Sequence, residues 1–261
     1  MDNKEATLQL GTQPVGKLLL QYAMMAASLY NIVDSVFIGQ RVGPMAISGL
    51  AITFPFMNLA SAFGAAVGVG ASTLISVKLG QKDYKTAENI LGNTVSLNLI
   101  IGIGFSIVSL LFLNPILRFF GASDATLPYA RDYMLIILGG NVFSHMYFGM
   151  NAVLRAASKP RQAMYATIFT VAMNTLLDYI FIVECGWGIQ VAAYATILAQ
   201  VMALIWQLHI FSNKKELLHF QRGTYRLRKS LVRNIIGIGI SPFAMNACAC
   251  MVVIFINQQL V

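Results

Sequence analysis

The chain has 261 residues, of which 57% are hydrophobic and only 11% charged, and its mean hydropathy is +0.68. A soluble domain carries about a quarter of its residues charged, so this composition excludes an ordinary soluble enzyme and points to a membrane protein. The net charge of +8 does not indicate a nucleic-acid binder, because the basic residues sit between apolar runs, where membrane topology places them.

A polar tail, residues 1–14, comes first and shows no cleavable signal pattern. Apolar runs follow at 15–39, 45–77, 88–117, 128–154, 161–184, 188–211 and 231–260. Each is too long for a strand and fits a helix able to cross a bilayer, which takes roughly 20 apolar residues. The sequence thus predicts an all-α, polytopic bundle of seven spans. With the N-terminus cytoplasmic, 15 of the 18 Lys and Arg residues fall in cytoplasmic segments, leaving Arg41, Arg118 and Arg131 outside. That asymmetry is the positive-inside signal. The basic segment at 212–230 is expected to be a cytoplasmic connector resting on anionic headgroups.

In the second run, AFGAAVGVGAS (Ala62 to Ser72) clusters small residues, and IIGIGF (Ile100 to Phe105) repeats the theme in the third. Small residues let membrane helices approach closely, so packing is the expected role. Pro55 and Pro242 lie inside predicted spans, where a freed carbonyl is tolerated beside protein or a cavity. Cys185, Cys248 and Cys250 have no metal-ligand spacing and read as small apolar packing residues. No P-loop, HExxH or GxSxG occurs, so neither a nucleotide site nor hydrolase machinery is expected.

The chemistry lies in polar groups at membrane depth. Of ten acidic residues, only Asp34, in LYNIVDSVFIG, and Asp178, in NTLLDYIFI, fall well inside predicted spans. A charge at a helix centre costs about 2.5–3.5 kcal/mol on insertion scales and marks an ion or substrate path by default. Asn174 precedes Asp178 by four residues, placing both on one helix face. Burial favours the protonated form of a carboxyl, so such a group can load and release a proton. Carboxylate, amide and hydroxyl oxygens can equally hold a dehydrated Na+, and the residues alone leave H+ and Na+ both open. His145, in the fourth span, is a third polar candidate and reads as a hydrogen-bonded or interface-facing side chain.

At these residues the chain resembles the multidrug and toxic compound extrusion (MATE) family, in its DinF-like branch. The resemblance runs through LYNIVDSVFIG, LGQKDYKTA (Leu79 to Ala87), ARDYMLIILGG (Ala130 to Gly140), LRAASKPRQAM (Leu154 to Met164), NTLLDYIFI and AAYATILAQ (Ala192 to Gln200), in the family's order. It implies two six-helix lobes that alternate access, and export of cationic or amphipathic compounds in exchange for H+ or Na+. It assigns the coupling-ion site to Asp34, Asp178, Asn174, Asn151 and Thr196, with Asp34, Asp178 and Asn174 as metal ligands if the ion is Na+. No other cofactor is implied.

The chain departs from the family pattern in carrying Ser158 and Val191 where Gly is usual. It also has a short MMAA bridge in the first span where relatives carry a longer, proline-containing one. The expected organisation is a tail (1–14), a six-helix lobe (15–211), a connector (212–230) and the first helix of a second lobe (231–261). The expected partners are a small cationic or amphipathic substrate, the bilayer of a bacterial cytoplasmic membrane, and a second lobe or another copy. Two other readings are a lipid-linked oligosaccharide flippase of the same superfamily and a membrane fragment that is inactive or depends on association. The lack of Lys or Arg at the centre of any predicted span favours the drug antiporter over the flippase.

Overall fold

The helices of this computed structural model start and stop where local chemistry dictates. It describes residues 43–184, 189–214, 216–221 and 223–259. The first predicted span, with Asp34 and Arg41, lies outside the described residues, as does Cys185. Every described element is helical: α1 (Pro44–Gly80), α2 (Tyr84–Leu111), α3 (Leu113–Phe119), α4 (Leu127–Ala156), α5 (Pro160–Asp178), a π-helical segment (Tyr179–Glu184), α6 (Gln190–Ser212) and α7 (Lys229–Gln259). Pro44, Pro128 and Pro160 each stand in the first two helical positions, where the missing N–H costs nothing.

The ends of α1 and α4 explain two of the loop motifs. After α1, the Lys82 N–H bonds the Leu79 carbonyl at 3.0 Å and the Asp83 N–H bonds the Lys78 carbonyl at 2.9 Å, a Schellman closure with Lys82 at φ 59°. Asp83 then opens α2 by accepting from the Thr86 N–H at 3.2 Å. One residue thus closes one helix and caps the next. The α4 end is similar: the Lys159 N–H reaches the Leu154 carbonyl at 3.0 Å, with Ser158 at φ 60°. A left-handed backbone explains why glycine suits this position and what Ser158 costs there.

The predicted third span, 88–117, proves to be two helices. It breaks at Phe112, because Pro115 has no N–H to give the Leu111 carbonyl and fits only in the first turn of a new helix, α3. The predicted fifth span is likewise α5 followed by the π segment. Five of the described helices, α1, α2, α5, α6 and α7, are long and apolar enough to cross a membrane. By contrast α4 falls short of that composition, since Asn141, His145 and Asn151 lie buried in it. It is screened from lipid by packing against α1, α2 and α6. Outward-facing residues such as Ile103, Ile107, Val108 and Leu111 of α2 are exposed and apolar, as a lipid-facing surface requires.

Two apolar clusters mark the ends of the bundle. One joins Ile75, Ile90, Met150, Val153, Leu204, Phe211 and Ile235, and the other joins Leu50, Leu117, Met134, Leu138, Ala192 and Ile254. The long helices α1, α4, α6 and α7, and α2 together with α3, each contribute to both clusters from opposite ends, so the chain threads back and forth between them. Among the described residues, Lys78, Lys82, Lys85, Arg155, Lys159, Arg161, Lys214, Arg226, Arg228, Lys229 and Arg233 flank the first cluster. Arg118 and Arg131 flank the second. The connector after α6 folds against α2. Asn93 Nδ2 donates to the Thr224 and Arg226 carbonyls at 3.1 and 3.3 Å, its Oδ1 accepts from the Arg228 N–H at 2.8 Å, and Leu218 is buried.

Glycines of the first small-residue motif pack as expected, whereas Gly104 of the second meets no neighbour. A Cβ on Gly64 would lie 2.8 Å from the His145 backbone, one on Gly68 3.0 Å from Gly149, and one on Gly70 2.0 Å from the Ile235 carbonyl oxygen. α1 is thereby locked against both α4 and α7. Cys250 of α7 also donates to the carbonyl of Pro55 at 3.3 Å, and both Cys248 and Cys250 are free thiols.

Two stability predictions follow from the helix ends. Ser158→Gly should raise stability by about 1 kcal/mol by relieving a left-handed non-glycine residue. A detergent melt showing a lowered Tm would contradict this. The Asp83 carboxyl is held below its ordinary value of 3.8, chiefly by the Thr86 hydrogen bonds. A depressed carboxyl contributes stability above pH 3.8 and loses it as pH falls through the folded-state value. The melting gap between the parent and Asp83→Ala should therefore be constant near neutrality and narrow as pH drops below 3.8. A gap independent of pH would refute the assignment.

Candidate functional site

The same-face rule places Asp178 and Asn174 together on α5, and the fold turns that face inward. Asp178 is 0% exposed and Asn174 1%. Thr196 of α6 comes up opposite them: the Asn174 amide donates to Thr196 Oγ1 at 3.4 Å, and the Thr196 hydroxyl donates back to the Ala192 carbonyl at 2.9 Å. That leaves Asn174 Oδ1 buried with no hydrogen-bond partner among the described residues. A buried, unsatisfied carbonyl oxygen beside a buried carboxylate costs free energy and is the donor set a small cation or a carboxylic acid proton would satisfy. Immediately after Asp178 the backbone changes from α to π. Such a widened turn is frequent at functional sites, and no residue pattern announced this one.

Two of the expected site residues, Asn174 and Thr196, are in contact, and Asp178 follows one turn along the same face of α5. Asp34 lies outside the described residues. Asn151 is buried elsewhere, near the basic end of the bundle. Its Nδ2 donates to the Ala163 carbonyl at 3.0 Å and to Thr167 Oγ1 at 3.4 Å, while its Oδ1 accepts from the Arg155 guanidinium. Thr167 precedes Asn174 by seven residues, so the level of Asn151 along α5 is roughly 10 Å from Asn174 and 16 Å from Asp178. The structure does not bring Asn151 to the carboxylate. It ties the α4 end to α5 and neutralises none of the charge there.

His145 is fully buried and its Nε2 lies 3.2 Å from Asn141 Nδ2, a hydrogen bond within α4. This is one of the two roles expected of it, that of a hydrogen-bonded side chain. Sequence reasoning passed over Ser144, whose hydroxyl donates to Gln200 of α6, and Arg155, which reads as an ordinary loop charge until its contact with Asn151 is seen.

A family model described as MatE matches residues 21–180, which include most of the first predicted span and the Asn174–Asp178 pair. The chain belongs to the MatE family. The MatE chain is 29% identical over 228 residues to the multidrug export protein MepA of Staphylococcus haemolyticus, covering 87% of this chain and 50% of that protein. Among solved structures, it resembles an outward-facing multidrug resistance MATE family transporter of the MOP superfamily at 25% identity and TM-score 0.82, covering 94% of this chain and 53% of that one. A MOP superfamily transporter from Pyrococcus furiosus gives 25% identity and TM-score 0.83, over 94% and 53%. This MatE chain spans about half the length of the curated relatives it matches. It is a multi-pass membrane protein of a multidrug efflux family.

The geometry separates two kinds of polar residue by what their loss should do. Asn151→Ala removes a buried amide that bonds the Ala163 carbonyl and the Arg155 guanidinium, and should destabilise the lobe by about 1 kcal/mol. Asp178→Asn removes a buried charge and should leave stability unchanged or raised. Melts of the two variants in detergent check this, and a strongly destabilised Asp178→Asn would show that the carboxylate is a structural strut.

Proposed function

We propose that this chain forms the N-terminal lobe of a secondary active antiporter that exports cationic or amphipathic compounds in exchange for H+ or Na+. The observation that carries the reading is the fully buried Asp178 grouped with Asn174 and Thr196 between α5 and α6. A carboxylate at membrane depth is retained where it has a cation to hold. Asp34, from the first predicted span, supplies the second carboxylate of that site. A second lobe completes the cavity, and the cation occupies the site when the substrate does not, so loading one releases the other. Substrates of this kind are supported by the name of the staphylococcal relative, a multidrug export protein.

Orientation follows from the charge asymmetry between the two ends. The basic end, with the connector folded on α2, is the cytoplasmic face, which sets the N-terminal tail on the cytoplasmic side.

The test is Asp178→Asn in the complete transporter, expressed in cells loaded with a fluorescent cationic dye. Efflux should fall to the level of cells without the transporter while membrane insertion stays intact. Undiminished drug resistance in that variant would overturn the reading.

A further inference from the structure

At the basic end of the bundle the acidic side chains already have partners among the described residues. Asp83 pairs with Lys78 at 3.7 Å, Glu88 lies 3.3 Å from His219 Nδ1, and Glu216 pairs with Lys159. Arg226, Arg228, Lys229 and Arg233, four cations within eight residues, are exposed. Among the described residues none of the four has a carboxylate within 4.0 Å. The backbone that carries them is seated on α2. Ser96 Oγ donates to the Tyr225 carbonyl at 2.7 Å, and Asn93 holds the Arg226 carbonyl and the Arg228 N–H. A Cβ on Gly92 would lie 2.5 Å from the Thr224 carbonyl oxygen.

Apolar surface runs down the bundle from this platform. Ser96 begins a face of α2 that continues as Ile100, Ile103 and Ile107, at spacings of four, three and four residues, and the three isoleucines are exposed. Ile100 stands about 6 Å deeper than Ser96. On α7, Lys229 and Arg233 head a stripe with the same spacings, followed by Ile236 and Ile240, 45% and 61% exposed. The neighbouring exposed stripe, Ser230, Asn234, Gly237 and Ser241, is small and polar and suits contact with other helices. The first stripe, cationic at its end and apolar along its length, has the polarity of a phospholipid.

We propose that Arg226, Arg228, Lys229 and Arg233 bind the phosphate headgroup of an anionic phospholipid, whose acyl chains lie along Ile236 and Ile240 of α7 and Ile100 and Ile103 of α2. Arginine holds phosphate oxygens through paired N–H groups, and basic residues at a membrane surface attract anionic lipid. A zwitterionic headgroup carries a cation of its own, which these four repel. The site does not depend on the antiporter reading above, since a membrane lobe moving any cargo could carry it.

The experiment is a detergent melt of the complete transporter titrated with phosphatidylglycerol, phosphatidylcholine or inorganic phosphate. Two triple variants remove equal charge from the same end. One combines Arg228→Gln, Lys229→Gln and Arg233→Gln; the other combines Lys85→Gln, Arg161→Gln and Lys214→Gln, at exposed positions away from the site. Phosphatidylglycerol should raise the Tm of the parent, and phosphatidylcholine should not. The half-saturating phosphatidylglycerol concentration should rise at least about tenfold in the site variant and stay near the parent value in the control. Arg233→Gln alone should act in the same direction and decides the matter where the triple variant does not fold. Equal weakening in both triple variants would overturn the site and leave only diffuse attraction of the basic face. Equal stabilisation by phosphatidylcholine would overturn selection of an anionic headgroup. Stabilisation by inorganic phosphate matching that by phosphatidylglycerol would overturn the lipid as occupant.

Discussion

Removing a carboxylate from water is the constraint around which this lobe is arranged. Asp178 is wholly buried in a bundle whose outer surface faces lipid. Nothing in an apolar interior solvates such a group, so the surrounding helices must supply oxygen and nitrogen. Asn174 lies one turn back on the same helix face, and its amide donates to Thr196 of the facing helix. The backbone then leaves α geometry directly after Asp178. Local irregularity and buried charge coincide there, as they do where structure yields to function.

The rest of the fold is the scaffold that makes such burial possible. Without a hydrophobic driving force between helices in lipid, close backbone approach has to hold them together. α1 does this with glycine: Gly64 and Gly68 admit α4, and Gly70 admits α7. Reciprocally, a Cβ on Gly239 of α7 would lie 2.2 Å from the Ala66 carbonyl. The helix that begins the expected second lobe is therefore anchored to the first lobe by backbone contact, while much of its remaining surface, including Met245, Val252 and Phe255, is exposed.

The legible part of this structure was the part written in periodicity and charge. Six of the seven apolar runs correspond to described helices, with boundaries shifted by a few residues, and the Asn174–Asp178 pair needed only the helical repeat. The break at Phe112 was missed because Pro115 sits three residues past it, inside a run still apolar enough to continue. The displacement of Asn151 could not be read because its partners, Ala163 and Arg155, are set by the turn between two helices. Ser158 shows the converse: its departure from the usual glycine was visible in the sequence, and its left-handed backbone supplies the reason.

Antiport through this lobe depends on exchange at Asp178: substrate binding must displace a cation from that carboxylate. The direct measurement is cation release when a cationic dye is added to the complete transporter in weakly buffered detergent solution, followed with a pH indicator and a sodium electrode. Dye binding should release a cation from the parent and none from Asp178→Asn. Equal release from both, or dye binding with no release from either, would contradict it.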